Sequence, residues 1–123
     1  MSKKLVACVK GKTYQVPFEE ILYMEKEKRK IHMHTIRGVL TFYGCFSEII
    51  PQLDERFLCC HKSYVLNMDK IAEMSRKRIV MSDDSVIYFC SDCYYRARLA
   101  FLRYNEGNLI IRYSARRKII ERA

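Results

Sequence analysis

Glycine and proline are scarce in this sequence, which has four Gly and two Pro in 123 residues. Four scattered glycines cannot build a glycine-rich loop that cradles phosphate, so that kind of nucleotide site is excluded. The scarcity also argues against a linker-rich or low-complexity chain. No apolar run approaches the roughly 20 residues of a membrane-spanning helix, and the N-terminus lacks the apolar run of a signal peptide. We therefore expect a cytoplasmic protein with no membrane partner.

Acidic residues are also few. Asp and Glu number 14 against 23 Lys and Arg, which gives a formal net charge of +9 and a pI near 9.4. A small domain this basic is expected to meet a polyanion, which is a nucleic acid, an anionic membrane face or an acidic protein. Half of the residues are apolar, so the chain should fold, and its length suits one domain.

Short extended segments follow one another along most of the chain. Residues 21–24, 31–36 and 39–43 are predicted as three strands, joined by a charged loop at 25–30 and a tight turn. Similar patterns elsewhere predict about nine or ten short strands in total, and therefore a mostly-β domain.

Two short helices interrupt the strands. Ser47 is predicted to cap a small internal helix, which Pro51 limits to one or two turns. A second helix is predicted to begin at Ser91 and to end near Gly107 as its C-cap. Its apolar residues recur at i, i+4 and i+7, and they are Tyr95, Leu99 and Leu102.

Residues 57–67 read F-L-C-C-H-K-S-Y-V-L-N. This segment resembles the central signature of LytTR-type DNA-binding domains, F-x-x-x-H-[RKN]-S-[YF]-[VI]-[VIL]-N, and every named position matches. Upstream, residues 21–25 are similar to the family's I-x-[YF]-[IFM]-E strand. The resemblance covers roughly residues 5–104.

The resemblance implies an elongated sandwich of short antiparallel sheets, with one small internal helix and a C-terminal helix. It also implies the DNA-binding output of a bacterial response regulator in a two-component system, whose projecting loops enter successive major grooves. We accordingly predict a LytTR-like DNA-binding domain at residues 1–107. A basic tail at 108–123 falls outside the pattern, and its residues fit a strand, a helical turn or a disordered arm.

The resemblance places the main candidate contact at Lys62, on the position that reads a base edge. Lysine can donate to guanine O6 or N7 in the major groove, although a plain surface lysine would give the same sequence. His61 and Ser63 flank Lys62 and can bond phosphate oxygens. By contrast, Tyr64 and Asn67 are predicted to be structural.

The charged stretch supplies the second candidate. Arg29 falls where the family places a base-contacting side chain, and Lys28 and Lys30 would neutralise phosphates. The alternative is a solvated charge run in which Glu25 and Glu27 balance the lysines.

The third candidate departs from the family pattern, which has Ser-Arg before the last helix where this chain has Ser91-Asp92. Asp92 could accept from cytosine N4, but we favour a role as helix cap. Arg96 then takes over the phosphate contact. The predicted DNA-binding set is Lys28, Arg29, Lys30, His61, Lys62, Ser63, Arg78, Ser91 and Arg96.

The six cysteines are expected to be reduced and mostly buried, since no export signal is present. Cys90 and Cys93 form a C-x-x-C pair, but zinc would need a second ligand pair. Adjacent Cys59 and Cys60 on a strand would point to opposite faces, so we predict no metal and no cofactor. A thiol pair that tunes DNA binding by oxidation is a weaker alternative.

No catalytic constellation is evident, so we predict a protein that is not an enzyme and has no small-molecule substrate. The expected partner is double-stranded DNA, with a second copy bound at tandem repeats. The chain could be a stand-alone regulator or part of a receiver-containing protein. The main rival is a basic β module that docks an acidic protein, favoured by the basic tail; an RNA-binding sheet ranks below it because no exposed aromatic pattern is evident.

Overall fold

The structure is a computed structural model, and it describes residues 3–111. This part of the chain contains ten strands, two α-helices and three single 3-10 turns. The strands are β1 (Lys4–Val9), β2 (Lys12–Pro17), β3 (Ile21–Glu27), β4 (Lys30–Thr35), β5 (Gly38–Tyr43), β6 (Phe57–His61), β7 (Tyr64–Asn67), β8 (Ile71–Ser75), β9 (Arg78–Met81) and β10 (Val86–Tyr88). The helices are α1 (Phe46–Ile49) and α2 (Ser91–Tyr104), and the 3-10 turns are Phe18–Glu20, Ile50–Gln52 and Met68–Lys70.

The strands form three antiparallel sheets. The largest has the order β5-β4-β3-β7-β6, the second has the order β10-β9-β8, and β1 and β2 form a two-stranded sheet. The predicted mostly-β sandwich of short antiparallel sheets, with a small internal helix and a later helix, is confirmed.

The five-stranded sheet separates two apolar cores. Phe57 and Val65 lie in the core on one face, whereas their neighbours Leu58 and Leu66 lie in the core on the other, as strand alternation requires. The first core is covered by β1, β2 and α1, and the second by the three-stranded sheet and α2. A bulge in β3 near Leu22 breaks the alternation locally.

The charged stretch 25–30 is strand rather than loop. β3 continues to Glu27 and β4 begins at Lys30, so only Lys28 and Arg29 form the turn. The prediction was wrong here because β3 pairs with β4 on one side and β7 on the other. Backbone pairing on both sides outweighs the poor strand propensity of Lys and Glu.

The small helix begins two residues earlier than predicted. Cys45 occupies the N-cap position without a side-chain hydrogen bond, and Ser47 is the second helical residue. Burial of Phe46 and Ile49 in the first core positions this single turn, so packing rather than capping determines its start.

Helix α2 buries a different face from the one predicted. Tyr95 and Leu99 are 62% and 42% exposed, whereas Ala97 is fully buried. Small side chains let the helix approach the second core closely, and Tyr94 and Phe101 pack beside Ala97. The larger stripe faces outward, since i, i+4 spacing does not say which of two apolar faces meets the core.

Helix α2 begins at Ser91 as predicted, but its two caps differ from the prediction. Its N-cap is Cys90, without a side-chain cap bond, so Asp92 lies in the first turn rather than at the cap. Its C-cap is Asn105, two residues before Gly107. The Asn105 side chain donates to the carbonyl of Phe101 at 2.8 Å, which ends the helix without glycine.

The cysteines are free thiols, and Cys8, Cys59 and Cys90 are exposed. The expectation that most are buried was therefore wrong. The side chains of Cys8 and Cys90 lie outside the two apolar cores, because each sits on the outer side of its element. Within residues 3–111 no helix is long and apolar enough to cross a membrane. Most of the predicted tail, from residue 112 onward, lies outside the described residues.

Candidate nucleic-acid interface

Two basic hairpin turns project from the same end of the five-stranded sheet. β3 runs antiparallel to β7 with Glu25 opposite Tyr64. One residue further, the Lys26 amide donates to the Ser63 carbonyl at 2.8 Å. The end of β3 therefore lies beside the β6–β7 turn, which places Lys28 and Arg29 near Lys62. Hairpin midpoints two strands apart are separated by roughly 10 Å.

The β6–β7 turn is held by the ring of His61. The Ser63 amide donates to His61 Nδ1 at 2.9 Å, and the ring stacks on Phe89 with centroids 4.7 Å apart. Burial first, and then the neighbouring Lys62 charge, lower the pKa of His61. The neutral ring accepts at Nδ1 and carries its proton on Nε2, while Lys62 is exposed at the tip.

Phe89 connects this turn to the second sheet. Its amide donates to the Lys77 carbonyl at 3.0 Å, so the β8–β9 turn lies at the same end of the molecule as His61. Phe89 also lies two residues before Ser91, the first residue of α2. The first turn of α2 is held against β6, where Cys60 Sγ lies 3.9 Å from the Cys93 carbonyl oxygen.

The predicted residues thus form a row of three groups along one end of the molecule. The first group is the β3–β4 turn, the second is the β6–β7 turn, and the third joins the β8–β9 turn to the start of α2. The row carries all nine predicted positions, Lys28, Arg29, Lys30, His61, Lys62, Ser63, Arg78, Ser91 and Arg96. Its continuity is given by the backbone and stacking contacts above.

Not every predicted cation in the row is unpaired. The Arg78 guanidinium donates to Glu73 at 3.1 Å, and this bond is the leading cause that lowers the pKa of Glu73. Arg96 donates to Cys93 Sγ at 3.4 Å. Lys28, Arg29 and Lys62 have no ion pair among the described residues, so they are the cations most available to an anion.

The acids near the first turn are occupied by histidines. Glu27 accepts from His32 at 2.9 Å, and His34 lies 3.5 Å from Glu25. The His32 hydrogen bond is the main cause that lowers the pKa of Glu27. Both carboxylates thus have histidine partners, and neither forms an ion pair with Arg29.

Sequence reasoning missed Arg76 and Lys77. Both lie in the β8–β9 turn with positive φ, 49° and 66°, and Lys28 in the first turn has φ 58°. Residues other than Gly and Asn rarely adopt this left-handed backbone conformation. The available signal was a basic two-residue turn between strands where Asn-Gly would be the usual choice.

Tyr43 is a second residue that the sequence reasoning missed. It lies opposite Lys30 at the same end of the sheet and is 77% exposed. The Lys30 ammonium lies 6.0 Å from the Tyr43 ring centroid, so the aromatic ring and the charge share one surface.

Asn67 anchors the hairpin that carries Lys62. Its buried amide donates to the carbonyls of Phe18 and Ile21 at 3.2 and 2.8 Å, and its oxygen accepts from the Asp69 amide at 2.9 Å. The buried Asn67 therefore has a structural role and fixes the backbone around it, as predicted. No cluster of three or more metal-ligating side chains lies within residues 3–111.

The described residues form mostly antiparallel β-structure with cationic turns at one end of the molecule. The family model of the LytTr DNA-binding domain matches residues 11–100 of this chain. The chain belongs to this family, which is a DNA-binding rather than a catalytic one.

Solved and curated proteins agree with this assignment. The fold is similar to the LytTr DNA-binding domain of a protein described as a methyl-accepting/DNA response regulator from Bacillus cereus, with a TM-score of 0.69 and 16% identity over 81% of this chain and 97% of that one. Accessory gene regulator protein A is 35% identical over 68 residues in Staphylococcus epidermidis and 34% in Staphylococcus aureus. These matches cover 53% of this chain but only 28% of those relatives.

Proposed function

We propose that this chain is the sequence-specific DNA-binding part of a cytoplasmic bacterial transcription regulator of the response-regulator type. The observation that carries the proposal is the Lys26–Ser63 backbone bond, because it holds the turns that carry Arg29 and Lys62 side by side. A row of lysine and arginine side chains, of which Lys28, Arg29 and Lys62 have no ion pair among the described residues, suits a double helix better than it suits a small ligand.

The projecting turns of the row are assigned to successive major grooves. Arg29 reads a base edge from the first turn, with Lys28 and Lys30 on phosphates. Lys62 reads a base edge between the outer groups, supported by His61 and Ser63. A row of three groups spans more of the helix than the roughly 12 Å width of one major groove, whereas two adjacent turns alone do not.

The third group includes Arg78, Ser91 and Arg96. The hydroxyl of Ser91 and the two guanidiniums contact phosphates, and Asp92 directs this end of the protein away from guanine-rich sequence because a carboxylate cannot donate to O6 or N7. Two copies bind direct repeats spaced by about one helical turn, so that both lie on one face of the DNA.

The test is selection of bound duplexes from a random pool, followed by affinity measurement over a range of salt concentrations. If about six phosphates are neutralised, log K should fall against log salt with a slope near −5. Lys62→Ala should cost about 1–3 kcal/mol and relax preference at one base pair, whereas Lys28→Ala should weaken all sequences about equally.

Arg37→Gln provides the matched control for charge removal. Arg37 lies in the β4–β5 turn, at the opposite end of β4 from Lys30, and its guanidinium pairs with Glu20 at 3.4 Å. The Arg37→Gln variant should leave the DNA affinity and the selected sequence unchanged. A flat salt dependence, or no enriched sequence with the unmodified chain, would refute the proposal.

A further inference from the structure

The outer edge of β5 presents backbone groups without partners among the described residues. A two-residue turn joins β4 to β5 with Thr35 opposite Gly38, and alternate residues of an antiparallel strand bond the same neighbour. The amides and carbonyls of Val39, Thr41 and Tyr43 consequently point away from β4. They have no backbone partner in the part of the chain that the structure describes.

This edge lacks the usual protection against pairing. The β4–β5 ladder runs through six residue pairs without a bulge, and β5 contains neither a charge nor a proline. The opposite edge strand of the same sheet, β6, has a bulge and is covered by α2. Natural proteins blunt exposed edges in these ways. Strand β1 approaches β5, but it forms no backbone hydrogen bond with β5 among the described residues, so the β5 edge is open to another strand.

A groove runs beside this edge. It lies between the end of β1 and β5 and has a volume of about 670 Å³. Val39, Phe42 and Tyr43 supply apolar lining, and the two charged residues that line it are Lys10 and Lys30. A single extended strand needs just this combination of an open ladder, room for alternate side chains and complementary charge.

We propose that β5 is a docking edge for an extended acidic segment of a partner protein, which adds to the five-stranded sheet as a further strand. Its backbone pairs with Val39, Thr41 and Tyr43, and its Asp or Glu side chains meet Lys10 and Lys30. A second copy of this chain is disfavoured as occupant, because neither β5 nor the groove lining offers an acidic side chain to meet Lys10 and Lys30. The groove shares Lys30 with the proposed DNA interface, but neither Lys62 nor Arg29 lines it.

The probe is a capped seven-residue peptide that alternates Val and Glu, added to the isotope-labelled full chain. We expect amide shifts at Val39, Thr41 and Tyr43, together with slower hydrogen exchange at these amides. The same peptide with Lys in place of Glu should not bind. Shifts confined to Arg29 and Lys62, or no shifts at millimolar peptide, would overturn the proposal.

Thr41→Pro removes one outward amide without removing a hydrogen bond to β4, since proline is tolerated where the amide faces outward. We expect it to weaken the peptide about tenfold or more, roughly 1.4 kcal/mol. Thr41→Ala loses the same 2.8 Å contact to His32 but keeps the amide, so it should bind within about twofold of the unmodified chain. Equal binding by the two variants contradicts strand addition.

Two further measurements keep the test decisive. If Thr41→Pro unfolds, Lys10→Glu replaces it, with loss of peptide binding expected and unchanged binding as the refuting result. Sedimentation of the unmodified chain tests the other occupant, since self-association that Thr41→Pro abolishes would assign the edge to a second copy. The Thr41→Ala variant should also shift DNA in a gel as the unmodified chain does. A negative peptide result would then concern the β5 edge alone.

Discussion

Replacing Arg76 and Lys77 by Asn and Gly should make the protein more stable and a weaker DNA binder. Both residues adopt the left-handed conformation, which costs an ordinary side chain roughly 1 kcal/mol or more at each position. Asn-Gly suits such a turn. The greater freedom of glycine in the unfolded chain lowers the free energy of unfolding by about 0.7 kcal/mol. The net gain in the free energy of unfolding is therefore about 1 kcal/mol, equivalent to a melting temperature about 4 °C higher.

The DNA effect follows from the lost charge. If both side chains neutralise phosphates, their removal makes the salt slope less steep by about 1.8, to about −3.6 from a slope near −5.4. The assay combines thermal unfolding with affinity at four salt concentrations. Lys3→Gln with Arg37→Gln is the charge-matched control, because Lys3 pairs with Asp54 at 3.5 Å and lies away from the row.

A variant that is more stable but binds DNA more weakly would support the view that the strained turn is kept for binding. A variant that melts lower than the unmodified chain would refute the strain argument. An unchanged salt slope would remove the β8–β9 turn from the interface. The control pair should change neither quantity by more than a few tenths of a kcal/mol in stability or affinity.

Three further predictions concern single residues. Asn67→Ala should lower the free energy of unfolding by about 3 kcal/mol, since it leaves two buried carbonyls and one amide without their side-chain partner; urea unfolding measures this, and a loss below about 1 kcal/mol would contradict it. Because the pKa of His61 is lowered on folding, its contribution to stability is complete above about pH 6.5 and is lost as pH falls through the folded pKa; His61→Asn should flatten melting temperature against pH in that range, and an unaltered profile would argue against it. Hydrogen bonds from Cys93 lower the pKa of the Cys90 thiol, while burial raises that of Cys60; iodoacetamide with peptide mapping should therefore modify Cys90 before Cys60 at pH 7, and the reverse order would refute the assignment.

The sequence predicted the kind of elements better than their limits. The strands around residues 21–43 could be found because Ile, Met and Val alternate with polar residues. The extension of β3 through Glu25 and Glu27 could not, because it depends on pairing with β7, which lies some 40 positions further along the chain. Local pattern does not contain that partner.

The site was found through a gapless motif rather than through general chemistry. Lys62 and Asn67 occupy fixed positions in the motif, so their neighbourhood could be predicted without coordinates. The stack of His61 on Phe89 could not be predicted, since it joins two sheets whose packing angle is invisible in the sequence. The exposed stripe of Tyr95 and Leu99 shows the converse problem, in which periodicity identified a face but not its surroundings.

The shared wall between the two cores has a consequence for how the molecule comes apart. Neighbouring residues such as Phe57 and Leu58 belong to opposite cores. Unfolding of either core therefore exposes one face of the same central strands to solvent. The two halves should therefore lose structure in one cooperative step, with tyrosine fluorescence and far-ultraviolet circular dichroism tracing a single denaturation curve. Amides of Met24 and Leu66 should exchange with solvent only through that global opening.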